Sequence, residues 1–129
     1  MACLKNNKDR VLVVDDQEEI RRIISRLISL LGYEVATAGN GREGLDLSCL
    51  IPFNLVITDL DMPEVDGLEA LKNIIQLDKK ANVVMITALG QKEQVLACIK
   101  AGAKDFIIKP FDQERVIETL DHLMTPLAV

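Results

Sequence analysis

Aromatic residues are scarce: the chain has no tryptophan, one tyrosine and three phenylalanines, 3% in all. Stacking platforms for nucleic-acid bases are therefore missing. Basic charge is not in excess either. The 15 lysines and arginines are outnumbered by 20 aspartates and glutamates, for a net charge of −5, which argues against direct nucleic-acid binding. No apolar run reaches the roughly 18 residues of a membrane span. The opening MACLKNNKDR lacks the apolar centre of a secretory signal. Cysteine is limited to Cys3, Cys49 and Cys98, whose spacing fits neither a metal site nor a disulfide framework. Reduced thiols in a cytoplasmic protein are the expectation. Cys49 and Cys98 lie in helix-like segments and are expected to fill core space.

What is present is a hydrophobic content of 49% in 129 residues, enough for one well-filled domain. Two hydrophobic periods alternate. Short β-branched runs occur at 11–14, 34–38, 55–58, 83–87 and 106–108. Between them, Ile20, Ile23, Ile24, Leu27 and Leu31 have the spacing of one face of a helix over about 17–31. Leu68, Leu71 and Ile75 repeat that spacing, as do Val116, Leu120 and Leu123; the segments 42–50 and 91–101 are shorter. Gly32 and Gly102 stand where helices end, and GNG at 39–41 separates a strand from a helix. Five strand–helix units in so short a chain imply an α/β fold, a parallel sheet with helices on both faces. Ligands of such sheets bind beyond the carboxyl ends of the strands.

Those ends carry a consistent set of groups. The first strand runs into Asp15 and Asp16, the third into Asp59, the fourth into Thr87 and Ala88, and the fifth into Lys109 and Pro110. Carboxylates gathered on one rim repel, and a divalent ion relieves the repulsion. Magnesium takes oxygen ligands and needs one or two carboxylates plus a phosphoryl oxygen. A carboxylate beside such an ion and a lysine can attack a phosphoryl group and become an aspartyl phosphate. In that chemistry positioning and charge neutralisation dominate.

Asp15–Asp16, Asp59 in DLDMPEVDG, Thr87–Ala88 and Lys109–Pro110, in this order, resemble the receiver domain of two-component response regulators. GYEVATAGNGREGL and AGAKDFIIKPF read like its single-domain, chemotaxis-regulator-like members. The resemblance implies a flavodoxin-like doubly wound (βα)5 fold with a five-stranded parallel sheet in the order 2-1-3-4-5. It implies an extension over 1–8, a receiver domain over 9–124 and a tail over 125–129. Asp59 is then the phosphoacceptor. Asp15 and Asp16 bind Mg2+, with Mn2+ as the alternative ion, and Asp61 adds its main-chain carbonyl. Thr87 and Phe106 are the switch residues, Lys109 contacts the phosphoryl group, and the Lys109–Pro110 bond is cis. The implied partners are a sensor histidine kinase or phosphotransfer protein, and a protein target on the face of helix 4, strand 5 and helix 5. The implied state is a monomer or a phosphorylation-dependent dimer, without nucleic-acid or membrane contact. The domain would catalyse only its own phosphorylation and dephosphorylation. Two departures from the common pattern stand out. Phe106 lacks a tyrosine hydroxyl, and Asp61 and Leu89 hold positions that tune loss of the phosphoryl group.

Other readings compete. Asp16 could cap the first helix in a box with Glu19. Asp59 alone could be a turn residue, Thr87 a plain strand residue and Lys109 a solvated one. Asp112 reads as the N-cap of the last helix, and His122 as a surface side chain. DLD also resembles the nucleophile motif of haloacid-dehalogenase-type phosphatases, with Asp59 attacking and Asp61 as acid/base, but no substrate pocket is evident. A flavodoxin-like cofactor binder would need Gly, Ser or Thr after the first strand, where Asp15 and Asp16 would repel phosphate. A receiver working without phosphorylation is not favoured, since all five site elements are present. The chain reads as a stand-alone receiver or as the N-terminal part of a larger regulator.

Overall fold

The computed structural model describes residues 9–60, 67–77, 81–88 and 90–124. Strands and helices alternate: β1 (Arg10–Val14), α1 (Glu18–Leu30), β2 (Glu34–Ala38), α2 (Gly41–Leu50), β3 (Leu55–Asp59), α3 (Gly67–Leu77), β4 (Asn82–Ala88), α4 (Lys92–Ala101), β5 (Asp105–Lys109) and α5 (Gln113–Met124). The strands form one parallel sheet in the order β2-β1-β3-β4-β5. This is the doubly wound arrangement expected.

The strand sequences explain why both faces are covered. Successive side chains of a strand point to opposite faces. Leu12 and Val14 therefore enter one core, with Val56, Val83 and Met85, while Val11 and Val13 enter the other, with Ile57, Val84, Ile86 and Ile107. Neither set is polar, as parallel strands buried on both sides require. The first core is closed by Leu71 and Ile74 of α3 and Cys98 of α4, with Leu45 and Leu47 of α2 packed against it. The second is closed by Ile24 and Ile28 of α1 and by Val116 and Leu120 of α5. Each such side chain contributes roughly 1.5–3 kcal/mol by leaving water.

Helix ends fix how these layers meet the sheet. At the end of α1, Gly32 takes φ +100, and Gly32 N–H and Tyr33 N–H donate to Ser29 O and Ile28 O at 3.0 and 3.3 Å. This paired reversal satisfies carbonyls that would otherwise be left open. At the start of α2, Asn40 Oδ1 accepts from Glu43 N–H at 2.9 Å, and Glu43 Oε1 accepts from Gly39 N–H at 2.8 Å. Gly44 lets that helix lie against β1, since a Cβ there would stand 2.8 Å from Val14 Cγ2. Asp112 caps α5 as expected, its Oδ1 accepting from Arg115 N–H at 3.0 Å.

Three side chains depart from the sequence reading. Ile23 is 52% and Leu31 43% exposed, while Ile28 is buried. The stripe of α1 is Ile20, Ile24, Leu27 and Ile28, which places Ile23 on its margin, and Leu31 is already the C-cap. Cys98 is a core residue, but Cys49 is exposed. In α2 the sheet-facing positions are Gly41, Gly44 and Leu45, so helical phase carries Arg42, Asp46 and Cys49 outward. His122 is exposed, as expected.

The chain leaves β1 to form β2 on one side and returns to form β3 on the other. The carboxyl ends of β1 and β3 therefore flank the switch in strand order, where open sheets of this kind bind ligands.

Candidate functional site

Val14 and Thr58 are register partners, so the next residues along, Asp15 and Asp59, form the first row beyond the hydrophobic part of the sheet. Period two places both on the side of Val13 and Ile57, toward α1 and α5. They are 0% and 2% exposed. Asp15 is fixed by its surroundings: its N–H donates to Ala38 O at 3.1 Å, its Oδ1 accepts from Gln17 N–H at 2.9 Å, and its carbonyl accepts from Arg21 Nη1 at 2.7 Å. Asp16 is exposed. The N-cap of α1 is Gln17 and not Asp16, which overturns the capping reading of Asp16.

One carboxylate oxygen each from Asp15, Asp16 and Asp59 lies within 4.8 Å of the others. At that separation the Asp15–Asp59 repulsion is on the order of 3 kcal/mol at an effective dielectric constant of about 20. Lys109 offsets part of it. Its Nζ lies 3.3 Å from Asp59 Oδ2 and 3.6 Å from Asp15 Oδ2, and it donates to Gln17 Oε1 at 3.4 Å. Among the described residues one ammonium faces three carboxylates, a negative excess. Asp15 Oδ2 is buried without a hydrogen-bond donor. A deeply buried, acceptor-only oxygen beside two more carboxylates fits a hard divalent cation, and the all-oxygen donor set fits Mg2+ or Mn2+.

Thr87 and Phe106 lie on the opposite side of the sheet. Phe106 is the register partner of Met85, and Thr87, two residues further along β4, points to the same side. Thr87 is buried. Its hydroxyl proton is shared between Ala88 O at 3.3 Å and Gln91 Oε1 at 3.4 Å. Phe106 is half-buried and packs against the core on the α3 and α4 side, while its carbonyl accepts from Arg115 Nη2 at 2.6 Å. The Lys109–Pro110 bond is cis. Asp61 and Leu89 lie outside the described residues.

The structure thus gathers Asp15, Asp16, Asp59 and Lys109 in one pocket, with Thr87 on the strand between Asp59 and Lys109. It adds two residues that sequence reasoning missed, Gln17 and Gln91. Each sits at a helix N-cap position beside a recognised residue, but neutral amides carry no charge signal that would mark them.

Fold and pocket together define an α/β domain with a cluster of three carboxylates, able to hold a hard cation, at the carboxyl edge of its sheet. The response regulator receiver domain family matches residues 11–121. The chemotaxis protein CheY of Thermotoga maritima is 43% identical over 113 residues, 87% of this chain and 94% of that protein. CheY of Bacillus subtilis is 42% identical over 113 residues, with the same shares covered. Among solved structures, chemotaxis protein CheY4 of Vibrio cholerae superposes with a TM-score of 0.85 at 32% identity, covering 91% of this chain and 99% of that one. NtrX from Brucella abortus gives a TM-score of 0.86 at 32% identity, covering 91% of this chain but 27% of that one. The chain belongs to the response regulator receiver family, whose members are phosphorylation-dependent switches of two-component signalling. These similarities give no support to the phosphatase or cofactor-binding readings.

Proposed function

We propose that Asp59 accepts a phosphoryl group from a histidine kinase or phosphotransfer protein, and that the modified domain changes the face made by α4, β5 and α5. The observation that carries this reading is the 3.3 Å contact of Lys109 Nζ with Asp59 Oδ2, next to the donor-less Asp15 Oδ2. Asp59 is the nucleophile: its carboxylate oxygen bonds to phosphorus as the donor's bond to phosphorus breaks and the donor leaves with the electron pair. Lys109 neutralises charge on the phosphoryl oxygens, and Asp15 and Asp16 complete an anionic cradle with Asp59. Mg2+ or Mn2+ held there would supply charge neutralisation for the transfer.

A phosphoryl group brings strong acceptors next to β4. The Thr87 hydroxyl has a single proton, so donating it to the phosphoryl group releases Ala88 O and Gln91 at the start of α4. A charge-assisted hydrogen bond of about 1.5–3 kcal/mol is of the size needed to bias such a rearrangement. Phe106 then turns toward the space Thr87 leaves. Leu96, Ile99 and Ile108 are exposed on this face, which suits a protein target better than nucleic acid. On this reading residues 9–124 form a cytoplasmic receiver that catalyses only its own phosphorylation and dephosphorylation, either as a monomer or as a dimer formed on phosphorylation. No helix among the described residues is long and apolar enough to cross a membrane.

Acetyl phosphate provides the test. With Mg2+ present, intact-mass spectrometry is expected to show one phosphoryl adduct, absent when EDTA replaces Mg2+. Labelling that ignores the chelator contradicts the proposal.

A further inference from the structure

We infer that Gln17 is a positioning residue for phosphoryl transfer: its side-chain carbonyl holds the Lys109 ammonium at the mouth of the acidic pocket. The inference rests on Asp59 being the phosphoacceptor.

Gln17 is the N-cap of α1, yet its side chain makes no capping hydrogen bond. Ser, Thr, Asp and Asn are the residues favoured at such positions. The backbone of Gln17 is held on both sides, its N–H by Asp15 Oδ1 at 2.9 Å and its carbonyl by Arg21 N–H at 3.1 Å. Its side chain reaches a residue 92 positions away, accepting from Lys109 Nζ at 3.4 Å.

An ammonium has three protons and no acceptor. Among the described residues its three oxygen neighbours are Asp59 Oδ2, Asp15 Oδ2 and Gln17 Oε1. Two are buried anions, and Gln17 is exposed and neutral. The two anions alone would draw Nζ into the pocket and leave Asp59 Oδ2 covered by a cation. The amide carbonyl pulls the other way, toward solvent, where a phosphoryl donor enters. Because it is neutral, it does so without adding to the negative charge that repels the donor. A glutamate there would also accept from Lys109 but would deepen that repulsion.

Acetyl phosphate has no protein surface to dock, so it isolates positioning from partner binding. In the reaction an Asp59 oxygen forms the new bond to phosphorus as the phosphorus–oxygen bond to acetate breaks, and acetate keeps the electron pair. The labelling rate is measured with Mg2+ for the unmodified protein, Gln17→Ala, Lys109→Ala and the double variant, with Asp59→Asn as control. Gln17→Ala is expected to slow labelling roughly three- to tenfold. Mg2+ affinity by calorimetry is expected to stay within about twofold, since Gln17 faces the ammonium and not the carboxylates. In the Lys109→Ala background the same substitution is expected to change nothing, because its effect passes through Lys109. An unchanged rate for Gln17→Ala, or an equal loss in both backgrounds, overturns the inference while leaving Asp59 as the acceptor. Labelling of Asp59→Asn overturns both.

Discussion

Lys109 and Asp59 belong to β5 and β3, with β4 between them, yet their charged ends are 3.3 Å apart. Register explains the reach. Asp59 pairs with Ile86, and Lys109 pairs with Ala88, two residues further along β4. The lysine stem therefore passes over the carboxyl end of β4, and the ammonium settles between Asp59 and Asp15. Two buried acids share the Lys109 ammonium.

Asp15→Asn removes one partner of a repelling pair without orphaning Lys109, which keeps Asp59. Metal-free stability by urea unfolding is expected to rise by about 1–3 kcal/mol. The unsubstituted protein is expected to gain about 2.7 kcal/mol when Mg2+ reaches 100 times its dissociation constant, and the variant to lose most of that gain. A variant less stable than its parent without metal would show that the pair does not repel.

Gln91 holds the Thr87 hydroxyl in the unmodified protein, at 3.4 Å. Gln91→Ala is expected to favour the phosphorylated conformation. Beryllofluoride binding in Mg2+, followed by amide NMR, is expected to tighten roughly two- to fivefold, the size of one weak neutral hydrogen bond. Unchanged or weaker binding would mean that Gln91 does not restrain Thr87.

Much of this is legible in the sequence itself. Val11 to Val14 and Leu55 to Thr58 mark their strands because both faces are buried and only β-branched or aliphatic residues fit. Asp15, Asp59 and Lys109 stand out because charge seldom follows such runs directly. Helix phase was harder. A rotation about the α1 axis well below the roughly 100° between successive residues decides whether Ile23 or Ile28 is buried, and the same ambiguity of phase applies to Cys49. Gln17 and Gln91 were invisible for another reason. They are long and neutral, and their partners depend on rotamers and on strands brought together by the sheet.

Gly44 tests the packing of α2 on β1. A methyl group at Gly44 meets Val14 Cγ2 at 2.8 Å, so Gly44→Ala is expected to lower stability by about 1–3 kcal/mol in urea unfolding. Adding Val14→Ala is expected to give a total loss smaller than the sum of the two single losses, since it vacates the space the added methyl needs and that methyl fills part of the cavity left behind. Strict additivity would place the strain elsewhere.

Tyr33 predicts the alkaline limb of stability. Burial, then the Asp9 carboxylate, then that of Asp121, push its phenol above the ordinary 10.0. The unfolded chain therefore ionises first. The contribution of Tyr33 is intact below about pH 10 and falls as pH rises toward the folded value. Tyr33→Phe is expected to flatten that decline, measured by urea unfolding between about pH 9 and 11. An unaltered slope would assign the decline to other groups.

The central claim is that one carboxylate, Asp59, carries the phosphoryl group. Borohydride reduction of the acetyl phosphate-treated protein converts an aspartyl phosphate to homoserine, and peptide mass spectrometry then locates it. Homoserine is expected at residue 59 and nowhere else. Homoserine at 15, 16 or 61, with 59 intact, would contradict it.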